Sequence, residues 1–119
     1  MILGIGTDIT ENKRFNKWLI KPAMIERYFH TSELAGFTVT TEFLASRFAA
    51  KEAFVKALGT GFKGLSLKNI YITKNADGVP HIELCGDALD SFTRRGGKKV
   101  LVSLSHEKEY SIAFVIIEG

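Results

Sequence analysis

The stretch TEFLASRFAAKEAFVKAL occupies residues 41–58 and decides the fold of this chain. Thr40 or Thr41 can cap a helix there, Glu42 suits its first turn, and two glycines just beyond it can end it. Small side chains form a seam along it, at Ser46, Ala49, Ala50, Ala53 and Ala57. The stretch therefore predicts a helix on which another element of the structure packs closely.

Beyond Glu42 in the first turn, four charged side chains interrupt this mostly apolar helix. Arg47 and Lys51 are one helical turn apart, and so are Glu52 and Lys56. Taken alone, Glu52 and Lys56 would form an ordinary surface ion pair that contributes little to stability. A helix so rich in Ala and Phe should be largely buried, however, and a buried charge needs a partner. Phosphate groups and a metal ion are the partners that this pattern predicts.

The first residues predict a buried strand over residues 2–6 that ends at Thr7-Asp8. By itself, Asp8 can be a cap for a following helix or a ligand to a cation. If this strand packs beside the helix over 41–58, Asp8 and Glu52 can converge on one hard cation. Mg²⁺ is commonly held by one or two carboxylates together with water and phosphate oxygens. The two acids therefore predict a Mg²⁺ site beside a bound phosphate.

The remaining candidate signals are weak when each is taken singly. The tripeptides Gly-Ile-Gly at 4–6 and Gly-Thr-Gly at 59–61 match neither a dinucleotide fingerprint nor a P-loop. A close approach of the strand to another element explains the first tripeptide equally well, and a helix stop explains the second. His106 lies between two predicted strands, where a histidine is more often a hydrogen-bonded loop residue than a catalyst.

Further segments show the alternation that is typical of strands. Residues 68–74 and 79–85 flank the turn sequence NADG and predict a β-hairpin. Residues 100–104 and 111–117 predict two more strands, which makes at least five with the first. We therefore expect an α+β fold in one domain over residues 1–119, with an antiparallel or mixed sheet packed on a long central helix.

A second, shorter helix is predicted from about Glu11 to Pro22, which ends or interrupts it. Its apolar positions are Phe15, Trp18 and Leu19. Its basic positions are Arg14, Lys17 and Lys21. A basic face of this kind suits an acidic partner, although a solvated surface explains it as well.

Composition places the chain among ordinary globular domains. It has 119 residues, of which 45% are hydrophobic and 24% charged, and its net charge is +3 without a dense basic block. Its single cysteine, Cys85, cannot form an internal disulfide, and no Cys/His spacing suits zinc. No apolar run is long enough for a membrane span. These features predict a protein of the reducing cytoplasm.

Taken together, the motifs resemble the small bacterial-type 4′-phosphopantetheinyl transferases, the holo-[acyl-carrier-protein] synthase family. Three stretches carry the resemblance. The first is GIGTDI at 4–9 with Glu11 and Arg14, and the second is RFAAKEAF at 47–54 with Lys56-Ala57 and Gly59-Thr60-Gly61. The third is VSLSH at 102–106 with Tyr110. The similarity runs from residue 1 to about residue 117, and residues 15–40 and 62–99 follow the family only loosely.

The resemblance implies a homotrimer whose active sites lie between neighbouring subunits. It also implies that Asp8 and Glu52 bind Mg²⁺ and act in catalysis together with Lys56. The residues it assigns to coenzyme A are Arg47, Lys56, Gly59, Gly61 and His106. Apo acyl carrier protein, an acidic partner, would contact the basic first helix through Arg14 and through Lys17 and Lys21.

The reaction implied is attack by a carrier-protein serine on the β-phosphorus of coenzyme A, which releases adenosine 3′,5′-bisphosphate and serves fatty acid biosynthesis. Glu52, Asp8 or a metal-bound water can accept the serine proton, and the sequence does not choose among them. A non-catalytic basic module that binds nucleotide or nucleic acid through Arg47, Lys51 and Lys56 is the main alternative. A metal-dependent phosphohydrolase is a third, although few acids cluster in this sequence.

Overall fold

A computed structural model describes residues 1–61 and 64–119 as an α+β domain of five strands, four α-helices and two 3₁₀ helices. The strands are β1 (Ile2–Glu11), β2 (Ile70–Lys74), β3 (Pro80–Leu84), β4 (Lys99–His106) and β5 (Tyr110–Glu118). The α-helices are α1 (Pro22–Tyr28), α2 (Thr31–Leu34), α3 (Thr41–Leu58) and α4 (Gly86–Arg94). The 3₁₀ helices cover Asn12–Ile20 and Leu67–Asn69.

The strands form two antiparallel sheets. One has the order β1-β5-β4, with Asp8 opposite Ala113 and His106 opposite Ser111. The other is the β2-β3 hairpin, joined at residues 75–79 by the predicted turn, in which Gly78 has a φ of 80°. The expected α+β class and the hairpin are confirmed, and all strand pairing observed is antiparallel.

Helix α3 has the bounds that the sequence predicts. The Thr40 Oγ1 accepts a hydrogen bond from the Phe43 N–H at 3.1 Å, which satisfies one free donor of the first turn. At the other end Gly59 has a φ of 79°, a left-handed conformation that favours glycine, and its N–H bonds back to Val55 and Lys56. Thr40 and not Thr41 is the cap.

The backbone of β1 touches the backbone of α3. A Cβ atom placed on Gly4 would lie 1.9 Å from the Ala57 carbonyl oxygen, and one on Gly6 would lie 1.9 Å from that of Ala53. No side chain fits into such a gap, so the packing requires glycine at both strand positions. The predicted small-residue seam therefore serves as the surface on which β1 lies.

Two predictions near the N-terminus were wrong in extent or type. The strand expected over 2–6 continues to Glu11, because β1 stays paired with β5 as far as Tyr110. The expected helix after it is a 3₁₀ helix, and Leu19 on it is 42% exposed instead of facing the core. Side-chain hydrogen bonds of Asn12 to Glu107, Lys108 and Ser111 anchor the start of that segment.

The β1-β5-β4 sheet has one covered face and one exposed face. Helix α3 covers the face that carries Gly6, Ala113 and Val115. The opposite face is apolar and open, with Ile5 at 60% exposure and Phe114 at 43%. Its other large apolar side chains are Ile9, Leu101 and Ile112. Of the helices described, none combines the length and the hydropathy that crossing a membrane requires.

We expect Gly6→Ala to destabilise the fold by about 3 kcal/mol, because the new methyl group would overlap backbone atoms that cannot rotate away. Gly78→Ala is the matched control, since its Cβ has open space and costs only about 1 kcal/mol for the positive φ. Urea unfolding of both variants gives the comparison. Equal losses in the two variants would show that β1 does not need its close contact with α3.

Candidate active site

Asp8 lies within β1 on the face that packs against α3, and its side chain is 10% exposed. The Oδ2 atom accepts a hydrogen bond from the Thr10 Oγ1 at 2.9 Å, and the Oδ1 atom accepts one from the Lys56 Nζ at 3.1 Å. The following 3₁₀ helix has no side-chain cap. Asp8 is therefore not a helix cap, which removes the simpler of its two interpretations.

Glu52 is half-buried on α3 and its carboxyl group lies within hydrogen-bonding reach of Asp8. Burial raises the pKa of Glu52, and the Asp8 carboxylate raises it further, while Arg14 and Lys56 act in the opposite direction. Two adjacent carboxylates repel each other unless a proton or a cation lies between them. The structure thus brings together the two acids that were predicted to share a cation.

The donor set of this pair fits Mg²⁺. Carboxylate oxygens are the protein ligands that Mg²⁺ prefers, and the ion normally completes its octahedron with water and phosphate oxygens. Within residues 1–61 and 64–119, no group of three or more His, Cys, Asp or Glu side chains is arranged to hold a metal ion. Asp8 and Glu52 would therefore supply two ligands and leave the rest to solvent and substrate.

Lys56 completes this cluster, which we call the acidic half-site and define as Asp8, Glu52 and Lys56. Its Nζ donates to the Thr7 carbonyl oxygen at 2.9 Å as well as to Asp8, and its side chain is 56% exposed. The ion pair that is observed joins Lys56 to Asp8 and not to Glu52, one turn away on the same helix. The ammonium group thus lies at an open edge of the cluster.

Lys51 does not belong to the site. Its side chain is wholly buried, and its Nζ donates to the Glu33 carboxylate at 2.6 Å, to the Leu67 carbonyl at 3.1 Å and to the Ile70 carbonyl. These three acceptors use all three protons of the ammonium group. The prediction that a phosphate or a metal ion balances the buried charge was wrong for Lys51, because the Glu33 carboxylate on α2 balances it.

The charge of Lys51 persists at neutral pH inside the core. Burial lowers the pKa of Lys51 to about 8, although Glu33 opposes that shift. A basic binding module would need Lys51 on the surface beside Arg47 and Lys56. Its position in the core removes one of the three cations on which that alternative depends.

Arg47 lines a second location, a cavity of about 570 Å³. The residue is only 3% exposed, and burial lowers the pKa of its guanidinium. No salt bridge in the described chain involves Arg47, and its Nε is a buried donor without a hydrogen-bond acceptor. A buried guanidinium without an anionic partner is costly, so the cavity suits a negatively charged ligand.

His106 and Pro80 line the same cavity at the ends of two other strands. His106 is the last residue of β4 and lies close enough to Glu42 to help lower the pKa of that carboxyl, after the larger effect of the backbone at the start of α3. Pro80 is the first residue of β3. We call this cavity the arginine half-site and define it by Arg47, Pro80 and His106.

The acidic half-site and the arginine half-site share no residue. Of the described residues, the 15 that line the arginine half-site do not include Asp8, Glu52 or Lys56. Gly59 and Gly61 follow α3 directly, at the end that carries Lys56, and both have a positive φ. The structure thus places the predicted residues in two groups rather than in one.

The matching family model is the 4′-phosphopantetheinyl transferase superfamily, over residues 4–115. The chain belongs to this superfamily. A holo-[acyl-carrier-protein] synthase of Treponema denticola is 46% identical in an alignment 123 residues long that covers 100% of each chain. The crystal structure of such a synthase from Neisseria meningitidis has a TM-score of 0.90 at 37% identity, over 100% of both chains. One from Helicobacter pylori, in complex with coenzyme A, has a TM-score of 0.85 at 31% identity, over 96% of this chain and 99% of that one.

Some contacts observed in this member of the phosphopantetheinyl transferase superfamily were not predicted from its sequence. Thr10 follows Asp8 by two residues in a strand, and Phe43 precedes Arg47 by four residues in a helix. Side chains at these spacings lie on the same face, so the sequence could have indicated both contacts. Glu33 and Phe37 gave no such signal, because they are distant in sequence from the side chains that they contact.

Proposed function

We propose that this protein transfers the 4′-phosphopantetheine arm of coenzyme A to a serine of apo acyl carrier protein. The products are holo acyl carrier protein and adenosine 3′,5′-bisphosphate, and the reaction supports fatty acid biosynthesis in the cytoplasm. The observation that carries this proposal is the acidic half-site, in which Asp8, Glu52 and Lys56 meet where β1 crosses α3. Membership of the superfamily and its synthase relatives support the same activity.

The transfer is a displacement at phosphorus. The serine oxygen forms a bond to the β-phosphorus of coenzyme A, the bond from that phosphorus to the bridging oxygen breaks, and adenosine 3′,5′-bisphosphate leaves with the bridging oxygen. The proton of the serine hydroxyl would pass to Glu52, to Asp8 or to a water molecule in the acidic half-site. Because the chain supplies no covalent intermediate in this scheme, its contribution is to position the two substrates and to stabilise charge.

Asp8 and Glu52 would hold Mg²⁺ against the pyrophosphate. When bound, the ion offsets the negative charge of the pyrophosphate and of the transition state. Lys56 would contact the same phosphates, because its ammonium group is held at the open edge of the half-site by Asp8 and the Thr7 carbonyl. Gly59 and Gly61 follow Lys56 closely in the chain and would lie against the bound coenzyme A there, while the Gly59 N–H stays bonded to the Val55 and Lys56 carbonyls.

Arg47 would bind the remaining phosphate of coenzyme A, the 3′-phosphate of the ribose. Coenzyme A carries three phosphoryl groups, and two of them are in the pyrophosphate that the acidic half-site would receive. The Arg47 guanidinium is buried, unpaired and next to open volume, which is what a dianionic phosphate requires. His106 and Pro80 would line the adenosine part of this half-site.

The separation of the half-sites supports a homotrimer in which each active site lies between two copies. In such an assembly, other copies would cover the open apolar face of the β1-β5-β4 sheet, and the acidic half-site of one copy would meet the arginine half-site of the next. In that arrangement α3 is the central helix of each subunit.

The carrier protein would bind along the first 3₁₀ helix, Asn12–Ile20, and the residue that follows it. Arg14, Lys17 and Lys21 are all exposed there and would attract an acidic partner. Arg14 also lies close enough to Glu52 to lower the pKa of that carboxyl, which partly offsets the effect of burial. A carrier protein docked on this segment would therefore present its serine beside the acidic half-site.

Incubation with apo acyl carrier protein, coenzyme A and Mg²⁺ should raise the carrier's mass by one phosphopantetheine arm. Asp8→Asn and Glu52→Gln should each reduce the rate by about 100-fold or more, because a metal ligand is lost while the shape is kept. Lys68→Gln, an exposed lysine outside both half-sites, is the control and should keep full activity. Absence of any mass gain with the unmodified chain and a cognate carrier would refute the proposed function.

If each active site is shared between two copies, an assembly that mixes two inactive variants should regain activity. Asp8→Asn damages only the acidic half-site, and Arg47→Ala damages only the arginine half-site. Assemblies that contain both variants at random should recover about a quarter of the activity at low coenzyme A concentration, since one site in four combines two intact halves.

The control for this experiment mixes the Asp8→Asn variant with the Glu52→Gln variant. Both changes lie in the acidic half-site, so mixed assemblies of these two variants should stay inactive. Recovery in neither mixture, although both variants co-purify in one assembly, would place the complete site within a single chain.

A further inference from the structure

Arg47 is held by aromatic rings and not by acids. Its Cζ lies 3.7 Å from the centroid of the Phe43 ring and 5.3 Å from that of Phe37. The two rings contact each other, with centroids 5.6 Å apart and planes inclined by 44°. The guanidinium therefore has its orientation fixed by π faces, while no carboxylate competes for its N–H donors in the described chain.

The two rings differ in how they are attached. Phe43 is on α3 four residues before Arg47, so it contacts the guanidinium as a consequence of the helix itself. Phe37 comes from the connection between α2 and α3, where Gly36 has a φ of 81° and the Phe37 N–H bonds to the Leu34 carbonyl at 3.3 Å. The chain reversal at Gly36 therefore directs Phe37 toward the cavity.

Phe37 remains 44% exposed although it is a large apolar side chain, and it lines the arginine half-site. Burial in the core therefore does not account for its position. Its described aromatic and cation contacts are with Phe43 and Arg47. Of the groups that it touches, the guanidinium is the one that a phosphate would bind.

We propose that Phe37 is a positioning residue that acts through Arg47, so that the ring of Phe37 sets the affinity of this enzyme for the 3′-phosphate of coenzyme A. The inference rests on the proposed function and names a specificity determinant of that same site. A planar guanidinium binds phosphate best through two parallel N–H bonds, and that geometry requires its plane to be fixed before the ligand arrives. Phe43 supports the guanidinium from α3, and Phe37 supports it from the connection that precedes α3.

The ring face, and not merely apolar volume, is what the proposal requires. A cation is attracted to the negative face of an aromatic ring, and this attraction is absent for an aliphatic side chain of similar size. Phe37→Tyr should thus retain the effect, whereas Phe37→Leu should lose most of it and Phe37→Ala all of it. This order separates a cation–π contact from simple filling of the cavity rim.

The test compares steady-state transfer from coenzyme A and from dephospho-coenzyme A, which lacks the 3′-phosphate, by the full-length variants. Phe37→Leu should raise the KM for coenzyme A about threefold to tenfold, with little change in kcat and little change in the KM for dephospho-coenzyme A. Phe37→Tyr should behave like the unmodified chain. Leu89→Ala is the matched control, because Leu89 is an apolar residue of equal exposure on α4 that does not line the arginine half-site.

The possible failures are distinct. If the unmodified chain transfers no phosphopantetheine, the proposed function fails. If it is active but Phe37→Leu and Phe37→Ala keep the KM for coenzyme A, the positioning role fails alone. Equal increases in KM for both donors would likewise overturn it, because they would show a general loss of cavity shape. An equal effect of Leu89→Ala would also overturn it, because it would show that any apolar truncation on the surface raises the KM.

Discussion

The contact of backbone with backbone between β1 and α3 is the constraint on which the rest of the structure depends. Gly4 and Gly6 allow the strand to lie on Ala57 and Ala53 with no side chain between them. At that distance an acid on the inward face of β1 reaches an acid on α3. The acidic half-site is thus a direct product of the packing, since a wider separation of strand and helix would leave its two carboxylates apart.

The same helix sorts its charges by face. Lys51 points into the core and is neutralised by Glu33, which also accepts the Ile72 N–H and so ties α2 and β2 to α3. Arg47 points into the cavity with aromatic support, and Glu52 faces β1 beside its neighbouring acid. One 18-residue helix therefore contributes a structural ion pair, a buried guanidinium on a cavity and an acid of the acidic half-site within a few turns.

Local patterns in the sequence determine most of the fold. The bounds of α3, its cap, its glycine stop and the hairpin turn all follow from residue types that act on their immediate neighbours. The length of β1 was underestimated because it depends on pairing with β5, about 100 residues later. The partner of Lys51 could not be predicted either, since nothing near Lys51 in the sequence indicates that α2 delivers Glu33 to it.

The most direct test of this account is the position of a divalent cation. Crystals of the full chain grown with Mn²⁺ and coenzyme A would show the ion by its anomalous scattering. The account predicts one peak per chain, within coordination distance of a carboxylate oxygen of Asp8 and one of Glu52. A peak bound elsewhere on the chain, with those two carboxylates free of metal, would contradict it.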